Sequence, residues 1–490
     1  METKKIAIIL TSLFVVAFVL RWYLMPGHLF FGPEQGRDFL VIQDIAERHK
    51  LTLIGSKTDV AGIFHGPVYY YIAALPYLIS RGDPGFVLAF FIALQCASVF
   101  LIYTLLLALT KKKRAGIIGA VVFTVSFLFI VYSRWLSNPP LSIPLSLVFM
   151  ICLTRFVRGR QPYLLAVAFL FGLLGQAEFI NFLLFGVIGA LVFITNREKI
   201  RKTNLFMAGA ALVVWLVTSF ATYILFDLRH ESIVRSGVID LLLGKSSYQV
   251  TLLVSALGAF RVLLEQIAKT VGLSGWIAGV VVAVTVAGII FKRFKRDFPI
   301  CIPVIWIMAP PVIFALLRHG MLDQLYAGVI AGIIIFLAIA VDLLWEKSKA
   351  LGVFVLAIYI GLNGLAVLKN LPNNHEVFFQ PQQPMVRYSD QLAVINWVYM
   401  TASGKPFSFQ AYTIPYFLQD AWTYLFGYYG QRKYGYLPDT LGRQLQYVVI
   451  QSDSLDPNFQ KKWYAEATSS WGKRTAQTQI GDFTIEEWTL

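Results

Sequence analysis

Charge and sulfur are both scarce in this chain. Asp, Glu, Lys and Arg make up only 14% of its 490 residues, and three residues are cysteine. So little charge, set against 57% hydrophobic residues and a mean hydropathy of +0.65, excludes a soluble globular class. Cys96, Cys152 and Cys301 each fall inside an apolar run, so the sequence offers no disulfide framework and no thiolate metal site. A complete Gly-x4-Gly-Lys-Ser/Thr phosphate loop is also lacking, which removes the commonest signature of nucleotide chemistry. Neither a repeat of roughly 20 to 50 residues nor a low-complexity linker divides the chain. The net charge of +15 would suit a nucleic-acid partner, but the basic residues gather in short loops, which is a topological pattern.

What is present in quantity is apolar sequence in span-length pieces. A helix crossing a bilayer needs about 20 mostly apolar residues. Eleven runs qualify, at 6–24, 86–109, 115–132, 140–156, 162–177, 179–195, 204–226, 274–291, 298–317, 321–342 and 350–368. The expected fold class is a polytopic α-helical membrane protein of about 11 transmembrane helices. The first run follows Lys4 and Lys5 and lacks a small-residue cleavage site, so it reads as a retained anchor. Alternate loops hold nineteen Lys and Arg on one side, while the short loops opposite hold Arg134 and Arg318. The positive-inside rule then sets the N-terminus in the cytoplasm. It sets the loops 25–85 and 227–273, and everything after Lys369, outside. Tyr248 to Val271 carries Arg261, Glu265 and Lys269 and reads as an interfacial helix with its apolar face down. The tail 370–490 mixes polar residues with alternating strands and reads as a small extracytoplasmic α/β domain following a membrane domain 1–369.

The candidate chemistry lies in the first outer loop, 25–85. Gly32-Pro33 starts a helix along which Phe39, Ile42, Ile45 and Ala46 recur at helical spacing. Glu34 and Asp38 stand four apart, so both leave one face of that helix, with Arg37 between them. Their bland reading is that Glu34 complements the helix dipole and Asp38 pairs with Arg37 or solvent. His65-Gly66-Pro67 leads into Tyr69, Tyr70 and Tyr71, which serve either as interfacial anchors or as rings for stacking a sugar beside carboxylates. Trp135 and Asn138 sit in the next outer loop, where Asn138-Pro139-Pro140 also reads as a plain turn. Glu178 falls between the short fifth and sixth runs. An ionisable residue there is a functional candidate by default, and its plain alternative is a pair with Arg134. Arg318, His319 and Tyr326 lie where the ninth and tenth runs meet, and Arg318 either holds a lipid phosphate or snorkels.

These segments carry a resemblance. Glu34 to Asp38 as an acidic Gly-Arg-Asp helix, Gly66-Pro67-x-Tyr-Tyr-Tyr, the Asn138-Pro139 loop and the tail segments Trp422 to Gly430 and Lys433 to Pro438 come in this order. The chain resembles the membrane glycosyltransferases of the GT-C superfamily, including RgtA/B/C/D-like and protein O-mannosyltransferase (family 39) relatives. The resemblance covers the whole chain, and its mechanistically specific part is the first loop. It implies a GT-C-like membrane domain and an inverting transfer of a hexose or pentose from a polyprenyl-phosphate carrier. The acceptor would be a hydroxyl on a glycan, a lipid or a protein at the outer face of a bacterial cytoplasmic membrane. It also implies a first-loop aspartate as general base, matched by Asp38. Glu34 stands where aspartate is expected, and Glu178 where relatives often carry histidine. A divalent metal remains an option, with Glu34, Asp38 and Glu178 as candidate ligands, and no nucleotide is needed. Substrate contacts are expected from Arg37, His65, Tyr69, Tyr70, Trp135, Asn138, Glu178, Arg318, His319 and Tyr326. The competing readings are a lipid-linked-sugar flippase or other transporter, and a non-catalytic scaffold. A transporter should show broken spans.

Overall fold

The computed structural model describes residues 2–25, 27–195, 197, 203–243, 250–294, 301–318, 323–371, 386–416, 418–439, 444–453 and 455–489. The chain forms two compact units, described in turn. One comprises Met1–Tyr23, Thr52–Ile72 and Ala89–Lys369; the other comprises Leu24–Leu51, Ala73–Leu88 and Asn370–Leu490.

Helices dominate the first unit and the segments entering it: α1 (Glu2–Trp22), α2 (Pro33–Arg48), α3 (Val68–Ser80), α4 (Pro84–Cys96), α5 (Ser98–Thr110), α6 (Lys113–Val125), α7 (Phe127–Ser133), α8 (Ser142–Val157), α9 (Tyr163–Ala177) and α10 (Asn181–Thr195). They continue with α11 (Leu205–Asp227), α12 (Ile233–Leu242), α13 (Leu252–Thr270), α14 (Trp276–Phe294), α15 (Cys301–Leu317), α16 (Ala331–Lys347) and α17 (Lys349–Asn370). Of these, α2 belongs to the second unit. Among the described residues five helices are long and apolar enough to cross a membrane: Thr3–Trp22, Pro84–Thr110, Pro139–Val157, Leu205–Asp227 and Lys349–Asn370. The molecule is an integral membrane protein. Helices α9 and α10 have 15 residues each. At 1.5 Å per residue that is about 22 Å, short of a hydrocarbon core of about 30 Å.

One expected span is broken. The run 115–132 divides at Ser126 into α6 and α7, which meet at 63°. Sequence gave no cause, because the break is made by distant side chains. The last carbonyls of α6 need donors that no further helix supplies. Buried Arg21 donates from Nη1 to the carbonyl of Thr124 (3.1 Å) and from Nη2 to that of Phe123 (3.2 Å). Its Nε reaches Ser133 Oγ at 3.0 Å. Tyr359 donates to the Val122 carbonyl (3.1 Å), and Asn363 Oδ1 accepts the Phe127 N–H (2.8 Å). Both broken ends are thus satisfied by protein, the condition under which irregular backbone persists at membrane depth.

Helix α13 covers the segment read above as an interfacial helix. It packs on α14 and α15 through Ser255, Ala259, Leu263 and Gln266, so a stripe of small and polar residues faces inward. Leu253, Leu257 and Phe260 face outward, with Arg261 and Glu265 paired at 3.1 Å.

The second unit is built on a four-stranded sheet in the order β1-β2-β4-β3, with β1 (Ser408–Tyr412), β2 (Leu445–Gln451), β3 (Lys473–Ile480) and β4 (Phe483–Thr489). The pair β1/β2 is parallel, and the pairs made by β4 are antiparallel. Helices α18 (Tyr388–Ala402), α19 (Asp420–Leu425), α20 (Gln431–Tyr434) and α21 (Pro457–Thr468) accompany it, with a π-helical turn at Phe426–Gly430 after α19. Helix α2 packs on α19 within this unit. The contact requires glycine at position 36, since a Cβ there would stand 2.1 Å from the Ala421 nitrogen. The anticipated stripe of Phe39, Ile42, Ile45 and Ala46 is the buried face of α2. Phe39 meets Phe31 and Tyr424 edge-on at 5.3 and 5.2 Å.

Candidate active site

In the second unit, Gly32 caps α2, Pro33 takes its first position, and Gln35 Oε1 accepts the Gly32 N–H at 3.1 Å. This start fixes the rotation of the helix and therefore the direction of Asp38. Asp38 is buried, while Glu34 one turn earlier is exposed, so two carboxylates that share a helix face experience different surroundings. Arg37 donates to Asp38 Oδ1 from Nη2 at 2.8 Å and from Nε at 3.0 Å. The guanidinium offsets part of the desolvation cost of a buried carboxylate and restricts its rotation. The arrangement provides a fixed acceptor for a proton.

In the first unit, residues 55–66 of the first loop form a hairpin. It closes through Gly55 N–H to the His65 carbonyl (2.7 Å), His65 N–H to Ser56 (2.9 Å) and Thr58 N–H to Ile63 (3.0 Å). Gly66 N–H donates to the Gln176 carbonyl at 2.8 Å, and Tyr223 Oη donates to the Phe64 carbonyl at 3.1 Å. At the tip Gly62 lies against Gly237 of α12, and a Cβ on either would meet the other's backbone within 3.0 Å. The hairpin delivers His65 to Glu178, with Nδ1 3.6 Å from Oε1. Glu178 is 5% exposed and sits in the connection 178–180 between α9 and α10. Burial, and then the nearby charge of Asp59, push its carboxyl up to about 8. Its partner is therefore His65 and not Arg134, which donates to the carbonyls of Arg21 and Tyr23 at 3.3 and 2.6 Å.

The other expected contacts separate into groups. Asn138 is buried and donates to Ser56 Oγ at 3.3 Å, so it supports the hairpin, and Trp135 is half-buried nearby in sequence. Tyr69 and Tyr70 are buried, with the Tyr69 ring 5.3 Å from Phe91, which makes them packing residues where interfacial anchors were one expectation. Tyr326 is fully buried and donates to the Ala259 carbonyl at 2.6 Å. Arg318 is exposed, and its carbonyl accepts the Val250 N–H. His319 lies outside the described residues. Sequence reasoning passed over Asp59, whose only signal is its place between Gly55 and Gly66 in a loop that turns sharply. It also passed over Asp323, which is ion-paired with Lys269 and accepts at its carbonyl from Tyr132. Among the described residues no three His, Cys, Asp or Glu stand together as metal ligands. Glu34 and Asp38 belong to the second unit and Glu178 to the first.

A likeness to known structures runs the length of the chain. ArnT from Cupriavidus metallidurans bound to undecaprenyl phosphate overlays with a TM-score of 0.65 at 13% identity, covering 99% of this chain and 98% of that one. The chain has the GT-C fold. The same ArnT in the apo state gives a TM-score of 0.62 at 12% identity over the same shares of both chains. The archaeal oligosaccharyltransferase AglB from Archaeoglobus fulgidus, in complex with an inhibitory peptide and a dolichol-phosphate, gives 0.49 at 12% identity over 92% and 70%. No family model matches the chain, and no curated protein matches it. The fold likeness agrees with the expectation from the first loop and the tail, although so little sequence is shared.

Proposed function

We propose that this GT-C protein is a glycosyltransferase that moves a sugar from a polyprenyl-phosphate carrier to a hydroxyl acceptor on the outer face of the membrane. The observation that carries the reading is the fold itself, shared end to end with a structure holding undecaprenyl phosphate. The charge bias of the loops supports a cytoplasmic N-terminus with the first loop and tail outside.

Asp38 is the base in this reading. The acceptor oxygen attacks the anomeric carbon as its proton passes to the Asp38 carboxylate, and the bond from that carbon to the phosphate oxygen breaks with inversion. The departing phosphate is a weak base and leaves without a proton, so nearby cationic charge suffices. General-base help of this kind is worth about 10²–10⁴-fold. Arg37 keeps Asp38 oriented. The acceptor class is a glycan, a lipid or a protein hydroxyl, and the sugar a hexose or pentose.

The broken span at Ser126 is the feature that would favour a transporter, because half-helix ends serve there as ion and substrate sites. Here Arg21, Tyr359 and Asn363 already occupy those ends. Uptake into vesicles without sugar transfer would reverse the choice. Release of free polyprenyl phosphate from a donor panel, with acceptor added, tests the enzymatic reading directly.

A further inference from the structure

Beside the His65–Glu178 pair lies a cavity of about 60 Å³. That is room for a few atoms of water size, each needing roughly 10–15 Å³. Asp59 from the hairpin and Glu178 from the α9–α10 connection both line it, with Phe179, Ile180, Leu183 and Phe314 as apolar neighbours. Glu178 Oε2 is buried and has no hydrogen-bond partner among the described residues, although Oε1 faces His65. Neither carboxylate has a Lys or Arg within 4 Å among the described residues, and the neighbouring Lys57 is exposed. A buried polar oxygen without a partner is costly, so a ligand group that completes it is selected.

We infer that this cavity is a subsite for one hydroxyl-bearing carbon of a saccharide, with Glu178 donating to the hydroxyl oxygen and Asp59 accepting its hydrogen. The inference rests on the glycosyl-transfer reading and names the part of the substrate that Glu178 and Asp59 select. A hydroxyl both donates and accepts, and the two sides of the cavity supply one of each. Glu178, raised by burial and by the charge of Asp59, carries the proton near neutral pH. Among the described residues, the titratable groups that interact with Glu178 are Asp59 and His65 from the hairpin, Tyr223 from α11 and Tyr132 from α7. Leu241, Phe314, Leu317 and Leu325 on the other elements bring no charge to the cavity. The sign of the pH effect follows. Glu178 donates below about 8 and loses its proton above it, so discrimination should fall as pH rises through that value.

The test measures kcat/KM for full-length wild type, Glu178→Gln, Glu178→Ala and Asp59→Ala against saccharide donors, acceptors and their single-deoxy analogues. One deoxy analogue should cost wild type about tenfold to a hundredfold. Glu178→Ala and Asp59→Ala should be nearly indifferent to that deletion, and Asp59→Ala removes only an exposed tip residue, so it folds. Glu178→Gln keeps an N–H donor and should retain most of the discrimination while losing its decline above about pH 8. A donor analogue showing the loss assigns the hydroxyl to the transferred sugar, and an acceptor analogue assigns it to the acceptor. Equal sensitivity of wild type and both alanine variants to every deoxy analogue overturns the inference. So does an amino analogue that wild type prefers and Glu178→Ala does not, which would make the cavity a cation site. If wild type transfers from no donor, the glycosyl-transfer reading falls and this inference with it.

Discussion

Arg21→Met is the most informative single change to the membrane unit. Arg21 is fully buried, and its guanidinium makes four hydrogen bonds, to the carbonyls of Ala17, Phe123 and Thr124 and to Ser133 Oγ. Ala17 keeps its ordinary helical partner, because its carbonyl also faces the N–H four residues on. The carbonyls of Phe123 and Thr124 have no such alternative, since α6 ends at Val125. Methionine fills most of the volume and keeps contact with Phe123, whose ring lies 4.8 Å from the guanidinium carbon. The loss is therefore mainly two buried carbonyls without donors, each costing about 1–3 kcal/mol. Removing a buried charge returns some of its desolvation cost, which brings the net down to about 2–4 kcal/mol. Thermal unfolding of the purified protein in detergent should show a clearly lower midpoint. The same variant should loosen the end of α7, since it removes the bond from Arg21 Nε to Ser133 Oγ. Arg21→Lys, which reaches fewer carbonyls, should fall between. A variant as stable as wild type would refute the claim that Arg21 holds the break.

Gly66→Ala should detach the 55–66 hairpin, because the new Cβ would stand 1.8 Å from Gln176 Oε1 and 2.8 Å from its Cα. We expect a loss of about 1–3 kcal/mol in stability and protease cleavage within 55–66, with an uncut hairpin as the contrary result. Asp453 gives the second unit an acid limit. Burial alone would raise its carboxyl, but hydrogen bonds from Tyr412 (2.6 Å), from the Asp456 and Leu455 N–H groups and from Tyr416 outweigh that and hold it below its ordinary value. A lowered carboxyl stabilises the fold above its unfolded value of about 4, and this contribution is lost as pH falls below it. Asp453→Asn should flatten that part of the stability profile measured between pH 5 and 2, whereas an unchanged slope would contradict the assignment.

Much of this architecture can be read from the order of residues. Scarce charge in span-length runs gives the membrane class, and the runs fall on helices such as α1, α8, α11 and α17. The period of Phe39, Ile42, Ile45 and Ala46 identifies the buried face of α2 and so places Asp38. Local patterns are silent where a distant side chain decides the outcome. Nothing near Ser126 marks a break, because Arg21 and Asn363 make it from two other helices. Glu178 is conspicuous as a carboxylate between apolar runs, but its partner depended on a hairpin more than a hundred residues earlier, and Arg134 was turned to backbone carbonyls instead. Asp59 looked like an ordinary loop residue until the hairpin closed. Tyrosines 69 and 70 are buried, a placement that their amphipathic rings alone do not reveal.

The central claim is lipid-linked sugar transfer with Asp38 as base. Its most direct measurement is release of free polyprenyl phosphate from a panel of polyprenyl-phosphate sugars by wild type and Asp38→Asn, with and without chelator. The account expects one donor to turn over with acceptor present and a loss of about 10²–10⁴-fold in kcat for Asp38→Asn with an unchanged unfolding midpoint, while the chelator arm reports whether a divalent metal takes part. Wild-type rates in a folded Asp38→Asn protein would contradict Asp38 as the base, and no turnover of any donor would contradict the transferase itself.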